Sequence, residues 1–126
     1  MSVQGERLLK SYKAAAATGS TYVIGYQSAA DSVTRAAGTE TVYVGVIENN
    51  PENTSDRASV CISGITKVRA GTATISRGSA LVSDANGHAV AAAVADTGPK
   101  LGIAEEASTD YGQLISVRVN CTAATA

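Results

Sequence analysis

The chain has 126 residues, ten Lys and Arg against eleven Asp and Glu, and a net charge of −1. This length suits one domain or two small, closely packed halves. Single, scattered basic residues exclude the clustered positive footprint of a nucleic-acid-binding domain, and no apolar run reaches the ~18 residues of a membrane-spanning helix. Trp and Phe are absent, so five Tyr are the only aromatics. Apolar character comes from Val, Ile, Leu and many Ala, and the Val, Ile, Thr and Tyr content favours strands.

Residues 1–18 read as an N-terminal arm. The stretch Glu6-Arg-Leu-Leu-Lys-Ser-Tyr-Lys is polar with a few apolar anchors, and Ala14 to Ala17 follow it. It lacks the length and cap of a stable helix, so it is expected to be extended and ordered on docking, with Val3, Leu8, Leu9 and Tyr12 as contact residues. The start has neither the basic nor the apolar region of a signal peptide, which predicts synthesis in the cytoplasm.

Residues 19–126 read as a β domain. Thr21 to Tyr26 and Thr41 to Ile47 are candidate strands. Ala58 to Gly64 follows, with an extension towards Val68. Then come Ala80 to Ser83, His88 to Ala91, Leu101 to Ala104 and Leu114 to Val119. Turn residues separate them: Gly38, Asn49-Asn50-Pro51, Gly71, Gly98-Pro99 and Tyr111-Gly112. Asn86-Gly87 suits a two-residue hairpin turn with two positive-φ positions. Short strands at this spacing predict an all-β sandwich or barrel-like domain.

The chain also repeats itself. Val44-Gly45-Val46-Ile47-Glu48 lies over Leu101-Gly102-Ile103-Ala104-Glu105, and the same offset carries Val60 to Val117 and Ile62 to Val119. Upstream, Gly19-Ser20 is matched with Gly78-Ser79. Two similar β units are expected, at about 19–64 and 76–121, joined by 65–75. Cys61 alternates against Val60 and Ile62, whereas Cys121 shares the parity of Val117 and Val119. Opposite faces predict two free cysteines.

A search for chemistry returns little. His88 is the only histidine, and it is expected at a strand start near solvent. With no second His and no CxxC pair, a zinc site lacks ligands. There is no Gly-x-Ser-x-Gly elbow and no phosphate-binding glycine loop. Asp84-Ala-Asn-Gly lacks the further oxygen ligands of a calcium loop. Glu48 and Glu105 open equivalent loops, which accounts for them as solvated charges. The expectation is a non-enzymatic protein with no catalytic residue, metal or cofactor.

The segment from Thr74 to Val119 resembles small bacteriophage capsid decoration (cement) proteins. The matching features are Thr74-Ile-Ser-Arg-Gly-Ser-Ala-Leu-Val-Ser-Asp-Ala-Asn-Gly-His-Ala-Val-Ala-Ala, then Leu101-Gly-Ile-Ala-Glu-Glu-Ala and Tyr111-Gly-Gln-Leu-Ile-Ser-Val-Arg-Val. Gly19 to Gly64 matches less well. The resemblance implies a β-sandwich or barrel-like body on the virion exterior. There it binds the major capsid protein and stabilises contacts between capsomers, self-associating as a homotrimer or, alternatively, a homodimer. It brings no catalytic residues, nucleic acid or membrane. The competing reading is a carbohydrate- or receptor-binding β-sandwich of a fibre or cell surface. The absence of Trp counts against it, because sugar platforms are usually exposed aromatic rings.

Overall fold

The computed structural model describes residues 7–72, 74–92 and 97–123. Among them the chain is all-β, with nine strands: β1 (Arg7–Ala14), β2 (Val23–Ala29), β3 (Ser32–Arg35), β4 (Gly45–Ile47), β5 (Arg57–Arg69), β6 (Ala80–Ser83), β7 (Ala89–Ala91), β8 (Lys100–Ala104) and β9 (Leu114–Thr122). They form one sheet in the order β1-β3-β2-β4-β5-β9-β8-β6-β7, and β1 also pairs with β5.

Several expectations change at this level. The described part of the presumed arm is β1, which runs antiparallel to β5 from Arg7–Gly64 to Lys13–Arg57. The presumed linker 65–75 begins as the second half of β5, which continues unbroken to Arg69 and pairs with β9. Tyr22 has φ 59°, so the first expected strand starts later, at Val23. The strand expected over Thr41 to Ile47 shrinks to Gly45–Ile47. Asn86-Gly87 is not a two-residue turn, and of the pair only Gly87 has positive φ. Asp84 shapes the longer connection instead, its Oδ1 accepting from the N–H groups of Asn86 (2.8 Å) and His88 (3.0 Å), as Asp does in turns.

The β1–β5 pairing closes the first half of the sheet into a five-stranded barrel, β1-β3-β2-β4-β5. Every strand of it contributes to an interior of Tyr12, Val23, Val33, Ile47, Ala58 and Val60. The alternation that predicts strands is thus the alternation that fills the barrel. The remaining chain repeats this plan. Pairs Val46–Cys61 and Ile47–Val60 recur, at the offset that separates Gly45 from Gly102, as Ile103–Arg118 and Ala104–Val117. Pairs Gly25–Arg35 and Tyr26–Thr34 recur, at an offset shorter by a single position, as Leu81–Ala91 and Val82–Val90. Tyr12–Ala58 recurs as Val68–Ile115, and the parallel contact Ala14–Val33 recurs as the bridge Ala70–Ala89. The second half of β5 therefore takes the part of β1 in a second unit with β6 to β9.

Two glycines make the repeat physically strict. A Cβ on Gly45 would lie 2.0 Å from the Cys61 carbonyl oxygen, and one on Gly102 would lie 2.0 Å from that of Arg118. Real side chains cannot approach backbone so closely, so both positions demand glycine. The counterpart of Tyr22 under the strand register is Gly78, and both have positive φ (59° and 92°). The Gly19–Gly78 match expected upstream is therefore displaced.

The second unit's interior (Val68, Leu81, Ala89, Leu101, Ala104, Ile115, Val117, Val119) is not sealed from its neighbour. It is continuous with Ile24, Tyr43, Val46 and Cys61, which the first unit presents from outside its barrel. β4 consequently buries apolar residues on both faces, Val46 on one and Ile47 on the other, and the first half of β5 sends Cys61 out of the barrel whose interior Ala58 and Val60 line. That is why both cysteines meet one core. Val60 faces the first barrel, Ile62 packs at its margin, and Cys61 faces the other cluster, against which Cys121 packs. Parity predicted opposite faces on the assumption of a single core. Both cysteines are free.

Candidate functional site

The first candidate surface is β1 itself. It meets β3 only at Lys13 and Ala14, so from Arg7 to Ser11 its second edge has no strand neighbour among the described residues. Leu8 is 58% exposed and Leu9 43%. A register irregularity falls between them, and both face solvent, as do Arg7, Lys10 and Ser11. Of the four expected contact residues, these two are available. Tyr12 is not, being buried inside the first barrel. Val3 lies outside the described residues. Arg7, Lys10 and Lys13 lie along the strand: Arg7 pairs with Glu48, Lys13 Nζ lies 3.8 Å from Asp31 Oδ2, and Lys10 Nζ lies 5.1 Å from the centre of the Tyr12 ring.

The start of β1 is tied down by Glu48. Its carboxylate accepts from Arg7 Nε (3.0 Å) and Nη2 (3.3 Å) and from Thr66 Oγ1 (2.5 Å). Glu48 is therefore a shielded clasp between β1 and β5 rather than a solvated loop charge. Glu105 pairs with Arg118 at 2.6 Å. Glu106 accepts from Ser116 N–H and Lys67 Nζ, and these donors hold its carboxyl below the usual range.

The second candidate surface is a recess of about 280 Å³ at one end of the first barrel, lined by Tyr12, Gln27, Val42, Tyr43, Val44 and Ile62. Val42, 49% exposed, forms part of its apolar lining. Sequence reading missed it, because its walls come from separate strands and the loop before β4. Only the pairing brings them together.

His88 is buried, not solvent-facing. It packs edge-on against Tyr111 with ring centroids 5.0 Å apart. Its Nδ1 has no hydrogen-bond partner among the described residues. Burial lowers its pKa, with Arg69 and Arg35 acting in the same direction and Asp84 against them. Burial pushes the Cys121 thiol up to about 11, with Cys61 adding to the shift, and raises Cys61 as well. Both thiols stay protonated at neutral pH, a state in which cysteine is a poor nucleophile. Among the described residues no group of three or more His, Cys, Asp or Glu is placed to hold a metal ion. Among them, too, no helix is long and apolar enough to cross a membrane.

No protein-family model matches the chain, and no curated protein sequence matches it. The geometry of these surfaces is what bears on function: a strand edge carrying two exposed leucines and unpaired among the described residues, and an apolar recess.

Proposed function

We propose that the protein decorates the exterior of a bacteriophage capsid, binding the major capsid protein and stabilising contacts between capsomers. The observation that carries this reading is the edge of β1 from Arg7 to Ser11, which has no strand neighbour among the described residues. An edge with unpaired backbone groups and protruding apolar side chains accepts an added strand from a partner. Leu8 and Leu9 supply the apolar contact, and the Lys10 ammonium between them and Tyr12 favours a partner segment bearing a carboxylate, Arg7 and Lys13 being paired with Glu48 and Asp31. The resemblance of Thr74 to Val119 to decoration proteins supports the same reading and falls largely on the second unit. One such edge is a weak site, but a shell offers many copies, and self-association as a homotrimer, or alternatively a homodimer, multiplies the contact through avidity.

Deleting the chain as far as Lys13 is not a clean test, because it removes Tyr12 from the barrel interior. The double substitution Leu8→Ser with Leu9→Ser leaves the barrel intact. Particles from the phage carrying the gene should contain about one copy per major capsid protein by quantitative mass spectrometry. The doubly substituted protein should keep its circular dichroism spectrum and lose shell binding. A handful of copies per particle would favour the fibre reading, and absence from particles would remove the proposal.

A further inference from the structure

The two units are built on one register, so a site in one has a defined counterpart in the other. The recess of the first unit is walled by Tyr12, Gln27, Val44 and Ile62. The counterparts of these residues are Val68, Ser83, Leu101 and Val119: Tyr12 pairs with Ala58 as Val68 pairs with Ile115, and Gln27 pairs with Val33 as Ser83 pairs with Ala89. Val44 and Ile62 flank Gly45 and Cys61 as Leu101 and Val119 flank Gly102 and Arg118, and each glycine abuts the carbonyl of Cys61 or Arg118 in turn.

In the second unit that place is filled. Tyr43 is buried in the same cluster as Val68, Leu101 and Val119. Its hydroxyl accepts a hydrogen bond from Ser83 N–H at 3.0 Å. The molecule thus displays, within itself, a tyrosine side chain offered to the second unit from outside its strands, its ring buried in the cluster that holds the counterpart residues and its hydroxyl on the backbone of β6. In the first unit the corresponding end is open, with Val42 and Gln27 exposed beside it.

From this correspondence we infer that the recess of the first unit binds a tyrosine side chain presented by a partner protein. The ring lies against Val44, Ile62 and Tyr12, and the hydroxyl reaches Gln27, as Tyr43 reaches Ser83. Val42 covers the outer side of the ring. The site is separate from the β1 edge in its residues, and it holds whether or not the partner is a capsid protein.

The test uses the full chain, uniformly labelled with ¹⁵N, and N-acetyl-tyrosinamide as probe. A single ring in an open recess binds in the millimolar range. Saturable amide shifts are expected at Tyr12, Gln27, Val42, Tyr43, Val44 and Ile62. N-acetyl-phenylalaninamide should bind about two- to tenfold more weakly, the worth of one neutral hydrogen bond, and N-acetyl-alaninamide should give no shifts. Gln27→Trp fills the recess from an exposed position, and Val42→Glu charges its lining. Either variant, with the rest of its spectrum unchanged, should abolish the response. No saturable shifts, shifts elsewhere on the surface, equal binding of the phenylalanine and tyrosine probes, or an undiminished response in both variants would each overturn the assignment.

Discussion

The first and second units share a strand register but differ in where their apolar surface goes. The first buries side chains on both sides of β4 and at Cys61 of β5. Ile47 and Val60 fill its own barrel, while Val46 and Cys61 face the other unit. The second is apolar on one side only. The counterparts of Val46 and Cys61 are Ile103, 38% exposed, and Arg118, which reaches out to Glu105. The same backbone thus makes a central layer in one half and an outer layer in the other. Which it becomes depends on a few side chains facing away from the barrel. The comparison also separates what the fold demands, identical in both halves, from what position in the molecule adds.

The strongest way to break the comparison is to attack what the units share. Gly45→Ala and Gly102→Ala should each cost at least about 3 kcal/mol, because each Cβ would meet backbone rather than a yielding side chain. Gly45, at φ 150°, should suffer more than Gly102. Urea denaturation reads both, and a neutral Gly102→Ala would show that the register equivalence has no energetic meaning.

Next come the matched interior residues Tyr12 and Val68. Tyr12→Ala should cost about 3–5 kcal/mol, as large aromatic truncations in cores do. Val68→Ala removes two methyl-sized groups and should cost about 2 kcal/mol. Equal losses would mean that β1 is not the wall of a packed barrel.

A smaller effect tests the junction between units. Tyr43→Phe leaves Ser83 N–H buried without its acceptor and should cost about 1–3 kcal/mol. The two units should then lose cooperativity before either loses its own strands, measured as divergence between hydrogen-exchange rates of β2 and β6.

The mildest test is pH. Burial lowers the His88 pKa from its usual 6.5, so the unfolded chain takes up the proton first. Stability from this residue is complete above about pH 6.5 and declines as pH falls from there towards the lowered folded value. His88→Phe should flatten that part of the profile in thermal melts at matched ionic strength. An unchanged slope would assign the acid sensitivity elsewhere.

Much of the fold was legible from residues alone. Alternating Val, Ile and Leu located β5, β6, β8 and β9, because a half-buried strand imposes period two on its side chains. The Gly45–Gly102 correspondence exposed the duplication, because close backbone contact tolerates no other residue. Other repeated features were invisible, because different residues do the same work. Asp56 accepts from the N–H groups of Glu52 and Asn53, and Gln113 accepts from those of Thr109 and Asp110. Ser55 and Gly112 share a positive φ and donate to Ala14 and Ala70. β3 was missed because Ser32-Val-Thr-Arg offers one buried apolar residue. Of the candidate sites, Leu8 and Leu9 were readable as apolar residues in a polar stretch, whereas the recess had no local signal.

By itself, then, the sequence determined the strand content, the repeat and its strictest positions, since these rest on local alternation and on contacts only glycine can make. Only the tertiary structure decided that residues 7–14 close a barrel, that β5 serves two units, and that Tyr43 fills a place left open in its counterpart. Those outcomes depend on which strand edges meet across distant parts of the chain, and edge pairing runs through backbone groups that every residue carries alike.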